Sequence, residues 1–331
     1  MKTPDSAVDE SILAALEERG GYVSGEELSR RLGLSRAAVW KRIRLLRDGG
    51  YGIRARTRRG YLLVEKPDVL SGREVGRNLD TRIVGRELYT FDDVTSTNDL
   101  AYEAAVKGAG EGAAVIADSQ TRGRGRLNRS WISPGGKNLY LSVVLRPVIP
   151  PSLVSILTYM GAVAAAEALE EDFALGVELK WPNDVLVRGR KLAGLLNEVK
   201  AEADRVDFVV LGFGVNLNMG EEDFPHDVLN NATSVMMETG RRVSRVRFAR
   251  SLLKSIDSWY RALLVHGSGL ALARWEDAAA IRGKTVEVSS FGRIHRGVAE
   301  GLDQNGALIL RKGEGEVIRI VAGDLREEEG R

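Results

Sequence analysis

The chain of 331 residues contains no cysteine, which excludes disulfides, thiolate nucleophiles and zinc–thiolate centres. Its three histidines, His226, His266 and His295, lie far apart in the sequence, so neither a histidine-ligated metal site nor a histidine-based triad is expected. The nucleotide loop GxxxxGK[ST] is missing, and no GxGxxG opens a helix after a strand. No run reaches the roughly 20 apolar residues of a membrane span, and the opening MKTPDSAVDE has no apolar secretory core. A cytoplasmic chain without membrane contact is the expectation.

What is present is length and an uneven charge. With 44% hydrophobic residues the chain can bury at least two cores. The net charge of +2 conceals a local surplus, since residues 1–66 hold fourteen Lys or Arg against nine Asp or Glu, and the remainder is slightly acidic. A polyanion is the first partner to consider for the N-terminal segment.

That segment has an ordered pattern. Residues 6–19 place Val8, Ile12, Leu13 and Leu16 at helical spacing before Gly20-Gly21. Ser24 with Glu27 forms a capping pattern for a second helix through Arg31, and after Gly33 a third helix over 35–48 is capped by Ser35. Val39, Ile43 and Leu46 share one face of this helix, with Arg36, Lys41, Arg42, Arg44 and Arg47 over much of the rest. Ser35, Arg36 and Ala37 stand at the end where a recognition helix meets base edges. The stretch YGIRARTRRGYLLV reads as two strands joined at Thr57–Gly60, with Arg54, Arg56, Arg58 and Arg59 available to phosphates. The arginines alone could be a solvated helix face, but helix, turn, basic helix and basic hairpin arrive in the order of a winged helix-turn-helix.

After Pro67 the pattern becomes alternating helices and strands up to about residue 281, an α+β or α/β body. Strands are expected over 113–118, 139–145, 184–188, 192–199 and 207–216, and helices over 97–107, 152–171 and 244–264. Directly after the first of these strands comes SQTRGRGRLNRSW in the order Ser119-Gln120-Thr121-Arg122-Gly123-Arg124-Gly125-Arg126-Leu127-Asn128-Arg129-Ser130-Trp131. Four arginines in eight residues need an anionic ligand if all are to point inward, and the glycines let backbone N–H groups approach it. Such a loop suits a nucleotide or an acidic substrate; the alternative for the loop by itself is a flexible RNA-binding Arg-Gly patch or an exposed loop.

Further on stand Lys180-Trp181-Pro182-Asn183-Asp184, then Lys191-Leu192-Ala193-Gly194, then Gly212-Phe213-Gly214-Val215-Asn216-Leu217-Asn218. Upstream, Ser96-Thr97-Asn98 opens a helix. Taken singly, the tryptophans read as core, Asn183 and Asp184 as turn residues, and Ser96 to Asn98 as capping. Together GRGRxxRxW, KWPND, RKLAG and GxGxNxN, preceded by STN, resemble the biotin protein ligase family, in that order and over nearly the whole chain. Where many members of that family read GRGRRGR, this chain has Leu127-Asn128, one cation and one glycine fewer.

The resemblance implies a two-step reaction: biotin and ATP give biotinyl-5'-AMP and pyrophosphate, and a lysine of a biotin carboxyl carrier protein then takes the biotinyl group. It implies Ser96, Thr97, Asn98, Gln120, Arg124, Gly125, Arg126, Lys191 and Gly194 around biotin, and Arg126, Arg129, Trp131, Asn183 and Asn216 around ATP, with Mg²⁺ arriving on the nucleotide. Arg126, Lys191 and Asp184 are the implied catalytic residues, Asp184 either orienting Lys191 or assisting the incoming amine. No protein-held metal site is expected. The repressor-type members imply operator DNA as a partner of Ser35, Arg36, Ala37, Lys41, Arg42 and Arg58, with biotinyl-5'-AMP as corepressor and a homodimer when it is bound. A lipoate-type ligase, a ligand-sensing repressor without catalysis, and a ligase whose winged helix no longer binds DNA are the alternative readings.

From Gly283 onward KTVEVSS, GRIHRGVAEGL, ALILRK and EVIRIVAGDL alternate apolar and polar residues between turns. A small β-barrel packed on the catalytic body is expected, SH3-like by the resemblance. The expected organisation is thus an α+β multidomain chain. Its parts are a winged helix-turn-helix over 1–66, a biotin/lipoate-ligase-like catalytic domain with a mixed sheet over 67–281, and an SH3-like domain over 282–331.

Overall fold

A computed structural model describes residues 7–327. Ser6, at the head of the first expected helix, and the outer ends of the first and last expected domains lie outside the described residues. The chain divides into two compact units, Met1–Asp68 and Val69–Arg331.

In the first unit, α1 (Ala7–Arg19), α2 (Gly25–Leu32) and α3 (Arg36–Asp48) precede a hairpin of β1 (Gly52–Arg56) and β2 (Gly60–Glu65). The caps read from sequence form: Ser24 Oγ accepts the Glu27 N–H at 3.0 Å and Ser35 Oγ accepts that of Ala38 at 3.2 Å. Ile12, Leu13, Leu16, Leu28, Val39, Ile43, Leu46 and Ile53 make a core of their own. The Arg47 guanidinium donates to the Ile53 carbonyl at 2.8 Å and ties α3 to the hairpin.

The second unit continues with α4 (Gly72–Gly76), β3 (Leu88–Val94), α5 (Thr97–Val106), β4 (Ala114–Gln120), β5 (Leu139–Leu145), α6 (Ser155–Phe173), β6 (Glu178–Lys180), β7 (Asp184–Val187), β8 (Arg190–Ala201) and β9 (Val206–Val215). Then come α7 (His226–Leu229), α8 (Val235–Thr239), α9 (Arg245–His266) and α10 (Gly269–Ala279). Strands pair in the order β3-β4-β5-β9-β8-β7-β6, parallel only between β3 and β4, so the sheet is mixed as expected. Every residue of β5 is buried, which is what an apolar run covered on both faces requires. One face meets α5 through Ala101, Ala105, Val115, Val144, Phe208 and Val210, the other meets α6 and α9.

Helix α6 is buried on nearly every side. Here the sequence expectation needs correction, because Pro151–Phe173 is long and apolar enough to cross a membrane by length and composition. Thr158, Gly161 and Glu167 interrupt its apolar run, which hid it from a search for continuous apolar residues. Its most apolar window is 67% buried inside the protein, as the core helix of this unit.

The last strands are β10 (Thr285–Ser290), β11 (Arg293–Leu302), β12 (Leu308–Arg311), β13 (Val317–Ile320) and β14 (Asp324–Glu327). They form an antiparallel sheet in the order β13-β12-β11-β10-β14. The tail segment expected as one strand is two, β13 and β14, because the chain turns at Val321–Gly323. Val286, Val288, Leu308 and Leu310 join the same core as α6 and β5, so the small sheet packs on the body rather than standing alone. Tyr159 of α6 reinforces this by donating its hydroxyl to the Gly306 carbonyl at 2.7 Å.

Candidate active site

The sheet, the arginine loop and the C-terminal sheet enclose a cavity of about 480 Å³, within the range of small-molecule sites. Every ligase-site residue named from sequence lines it: Ser96, Thr97, Asn98, Gln120, Arg124, Gly125, Arg126, Arg129, Trp131, Asn183, Asp184, Lys191, Gly194 and Asn216.

At one end lies a buried polar network. Ser96, Thr97 and Asn98 are all nearly inaccessible to solvent, and Ser96 makes no side-chain cap bond, so simple capping does not explain the triplet. Gln120 Oε1 accepts the Thr97 N–H at 2.8 Å, and Ser142 Oγ bonds both Thr97 Oγ1 at 2.8 Å and Asn98 Oδ1 at 2.6 Å. The Asn98 amide donates to Glu198 at 2.9 Å, and Gln120 donates to Ser133 at 2.9 Å. Ser142, Glu198 and Ser133 were not read from sequence, since each stands outside the recognisable motifs. Buried amides and hydroxyls this tightly connected present fixed donors and acceptors to a polar ring.

The arginine loop is held by its own backbone, with the Gly125 N–H bonded to Arg129 O at 2.7 Å and the Trp131 N–H to Gly123 O at 2.9 Å. Leu127 and Asn128 both adopt positive φ, 54° and 59°. Asparagine tolerates that region, so Asn128 does there what a glycine would do, whereas Leu127 is strained. The four arginines are handled separately. Arg122 is exposed and does not line the cavity. Arg124 is clamped by Asp99 at 2.5 Å and Glu198 at 2.7 Å. Arg126 donates to Asn183 Oδ1 at 3.3 Å and to the Gly323 carbonyl at 3.2 Å, and Arg129 pairs with Asp324. Burial pushes the Arg126 guanidinium below its usual range, against the opposing pull of Asp324 and Asp184.

Deeper in, Lys191 Nζ is 2.7 Å from Asp184 Oδ1 and 5.3 Å from the centre of the Trp131 ring. Strand pairing sets this, as β7 begins at Asp184 opposite Gly194 of β8. Trp131 lies on a floor made by glycines. A Cβ at Gly214 would stand 2.5 Å from the indole Cε2, and one at Gly194 would stand 3.1 Å from its Cζ3. Trp181, by contrast, is 1% exposed and donates to the Tyr159 hydroxyl at 3.1 Å, so it is core.

Asn183 and Asn216 are largely committed to the protein. The Asn183 amide donates to Leu195 O at 2.6 Å, and that of Asn216 to Thr233 O at 3.1 Å. Asn216 thereby fixes a segment that no motif marks. Phe224, Asp227, Val228, Asn231 and Ala232 line the cavity beside Trp131, and the backbone of Lys191 pairs with it through Asn231 O at 2.7 Å and the Thr233 N–H at 2.9 Å. Asp324, Leu325 and Arg326 of β14 complete the wall. Among the described residues, no three His, Cys, Asp or Glu side chains stand together as a metal site.

In the first unit, Arg36, Ala37, Lys41 and Arg58 are exposed, and so is Ser35, whose hydroxyl also caps α3. Arg36 pairs with Glu26 at 2.7 Å. Arg42 departs from the expectation: it is half-buried, 3.5 Å from the fully buried carboxylate of Asp9. Its position on the inner flank of α3 makes it a counter-ion to α1 rather than a free cation.

Three family models match the chain: the biotin/lipoate A/B protein ligase family over residues 90–216, an HTH domain over 9–62 and the biotin protein ligase C terminal domain over 282–325. The chain is 38% identical over 304 residues to the bifunctional ligase/repressor BirA of Bacillus subtilis, covering 92% of this chain and 93% of that one. It is 32% identical over 300 residues to that of Escherichia coli, covering 91% of each. Among solved structures, the biotin protein ligase from Aquifex aeolicus in complex with biotin and ATP is similar with a TM-score of 0.64 and 28% identity, over 73% of this chain and 100% of that one.

Proposed function

The chain belongs to the biotin protein ligase family in its bifunctional ligase/repressor form, and from that premise we propose that it activates biotin with ATP, biotinylates a carrier protein and represses transcription through its N-terminal unit. The observation that carries the ligase reading is the convergence of the Thr97–Asn98–Gln120 network, the Arg126 loop and the Lys191–Asp184 pair on one cavity. The first offers donors and acceptors to the ureido ring, and the second and third supply cations where a carboxylate meets a phosphate.

In the first step an oxygen of the biotin carboxylate attacks the α-phosphorus of ATP, and the bond to the β-phosphate oxygen breaks to release pyrophosphate. Charge only moves between oxygens, so Arg126 and Lys191 act by fixed electrostatic stabilisation. Asp184 holds the Lys191 ammonium toward that charge. In the second step a lysine amine of a biotin carboxyl carrier domain attacks the acyl carbon, AMP leaves, and the amine loses its proton, for which Asp184 is the carboxylate at hand. Trp131 and Phe224 offer faces to the adenine. Mg²⁺ would travel with the ATP phosphates and its own waters; among the described residues no three His, Cys, Asp or Glu side chains stand together to hold it.

Biotinyl-5'-AMP is the proposed corepressor, acting by favouring a homodimer that places two copies of α3 on operator DNA. The modules follow the same division, 1–66 for DNA, 67–281 for catalysis and 282–331 as a wall of the site, and the reaction runs in the cytoplasm, where ATP and operator are both at hand. The test is paired. Labelled biotin should pass to a carrier domain only with ATP, and retardation of promoter DNA upstream of biotin genes should require biotin and ATP together. Transfer without any adenylate-dependent DNA binding would remove the repressor half of the reading.

A further inference from the structure

Helix α3 presents an exposed stripe of Arg36, Ala37, Trp40, Lys41 and Arg44 opposite the buried Val39, Ile43 and Leu46. In the middle of this stripe the indole of Trp40 is 55% exposed. A single exposed apolar residue is ordinary on a protein surface; what distinguishes Trp40 is its place. It lies one turn beyond Arg36 and one turn before Arg44, whose guanidinium carbon stands 5.8 Å from the ring centroid. The same surface carries Lys41 and Arg44, cations that suit a polyanionic partner.

An indole has one N–H donor and no acceptor, so it cannot read a base pair by a bidentate bond as arginine or asparagine does. The apolar group on the major-groove edges is the 5-methyl of thymine. We propose that Trp40 is a specificity-determining residue of the repressor, covering one or two thymine methyl groups in the major groove while Lys41 and Arg44 hold the flanking phosphates. The proposal rests on the repressor reading above and adds to it a base preference set by an apolar contact.

The experiment uses the full-length protein with biotin and ATP, a randomised 40-base-pair duplex pool and the variants Trp40→Ala and Trp40→Phe. The duplex enriched by the wild type is then remade with deoxyuridine for thymine, one position at a time. The expected result is that deoxyuridine at one or two positions weakens wild-type binding about fourfold each, the factor for one buried methyl group. Trp40→Phe should retain part of that sensitivity, and Trp40→Ala should bind thymine and deoxyuridine duplexes equally. An enriched duplex whose thymines can all be replaced without loss, or one that Trp40→Ala discriminates as the wild type does, overturns the proposal while leaving the repressor reading intact. No enrichment by the wild-type protein overturns both.

Discussion

Gly212→Ala is the substitution that the site geometry forbids most clearly. A methyl at Gly212 would overlap Asn98 Oδ1 and stand 2.9 Å from its Cγ and 3.1 Å from its Nδ2, whereas carbon contacts settle near 3.5–4.0 Å, so the amide must retreat by roughly 1 Å. That movement stretches the bonds from Ser142 Oγ at 2.6 Å and to Glu198 at 2.9 Å, and buried polar groups left without partners cost about 1–3 kcal/mol each. A loss of about 2 kcal/mol in the network proposed to hold biotin corresponds to a KM for biotin raised roughly 30-fold. The KM for ATP should change far less, because Asn98 bonds to Ser142 and Glu198 and not to Arg126, Asn183 or Asn216, the residues proposed for the nucleotide. Steady-state kinetics with each substrate varied in turn measure the split. In the double variant with Asn98→Gly, thermal stability should recover while biotin affinity does not. An unchanged biotin KM in Gly212→Ala, or a larger effect on ATP, would take the Asn98 network out of biotin binding.

Other outcomes are as definite. Leu127→Gly removes a positive-φ penalty of about 1–2 kcal/mol at the price of glycine's freedom in the unfolded chain, so calorimetry should find Tm raised by about 1–2 °C; a fall in Tm would contradict the strain. Asp257 is buried, which alone would raise its pKa, but N–H groups of Val84, Ile83 and Arg82 and the Arg261 guanidinium hold it below the usual carboxylate value. A depressed pKa means its stabilisation is complete above the ordinary value near 3.8 and disappears as pH falls through the native one. Urea unfolding should therefore separate wild type from Asp257→Asn at pH 6 and bring the two closer together as pH falls below 3.8. At the wing, Arg58→Ala should lower the slope of log binding constant against log salt by about 0.9 for DNA of any sequence, and an unchanged slope would take Arg58 off the phosphates.

The helices and central strands were legible because their patterns are strong and local: Ser24 and Ser35 cap as read, and β5 fills the interval 139–145 as its apolar run requires. Strand β3 was missed because it sits at the sheet edge with Phe91, Asp92 and Asp93 exposed, which leaves no clean alternation. The short β6 and helix α10, which opens at a glycine, carry weak signals of the same kind. The arginine loop, Asp184 and Lys191 were legible as motifs, but their partners were not. Ser142 is an unremarkable serine within an apolar strand, and the wall over residues 224–232 reaches the cavity through pairing with the backbone of Lys191, a contact made across some forty residues of chain, and through Asn216. Arg42 shows the converse limit: helical spacing put it among the basic residues of α3, and only packing revealed Asp9 beneath it.

The central claim, that this cavity adenylates biotin, is tested most directly by biotin-dependent exchange of labelled pyrophosphate into ATP. Lipoate serves as the competing substrate and Lys191→Ala as the control. Exchange is expected with biotin and not with lipoate, reduced at least 100-fold when the ammonium beside Asp184 is removed, a loss of about 3 kcal/mol of transition-state stabilisation. Tight biotin binding with no exchange, or exchange undiminished in Lys191→Ala, would contradict it.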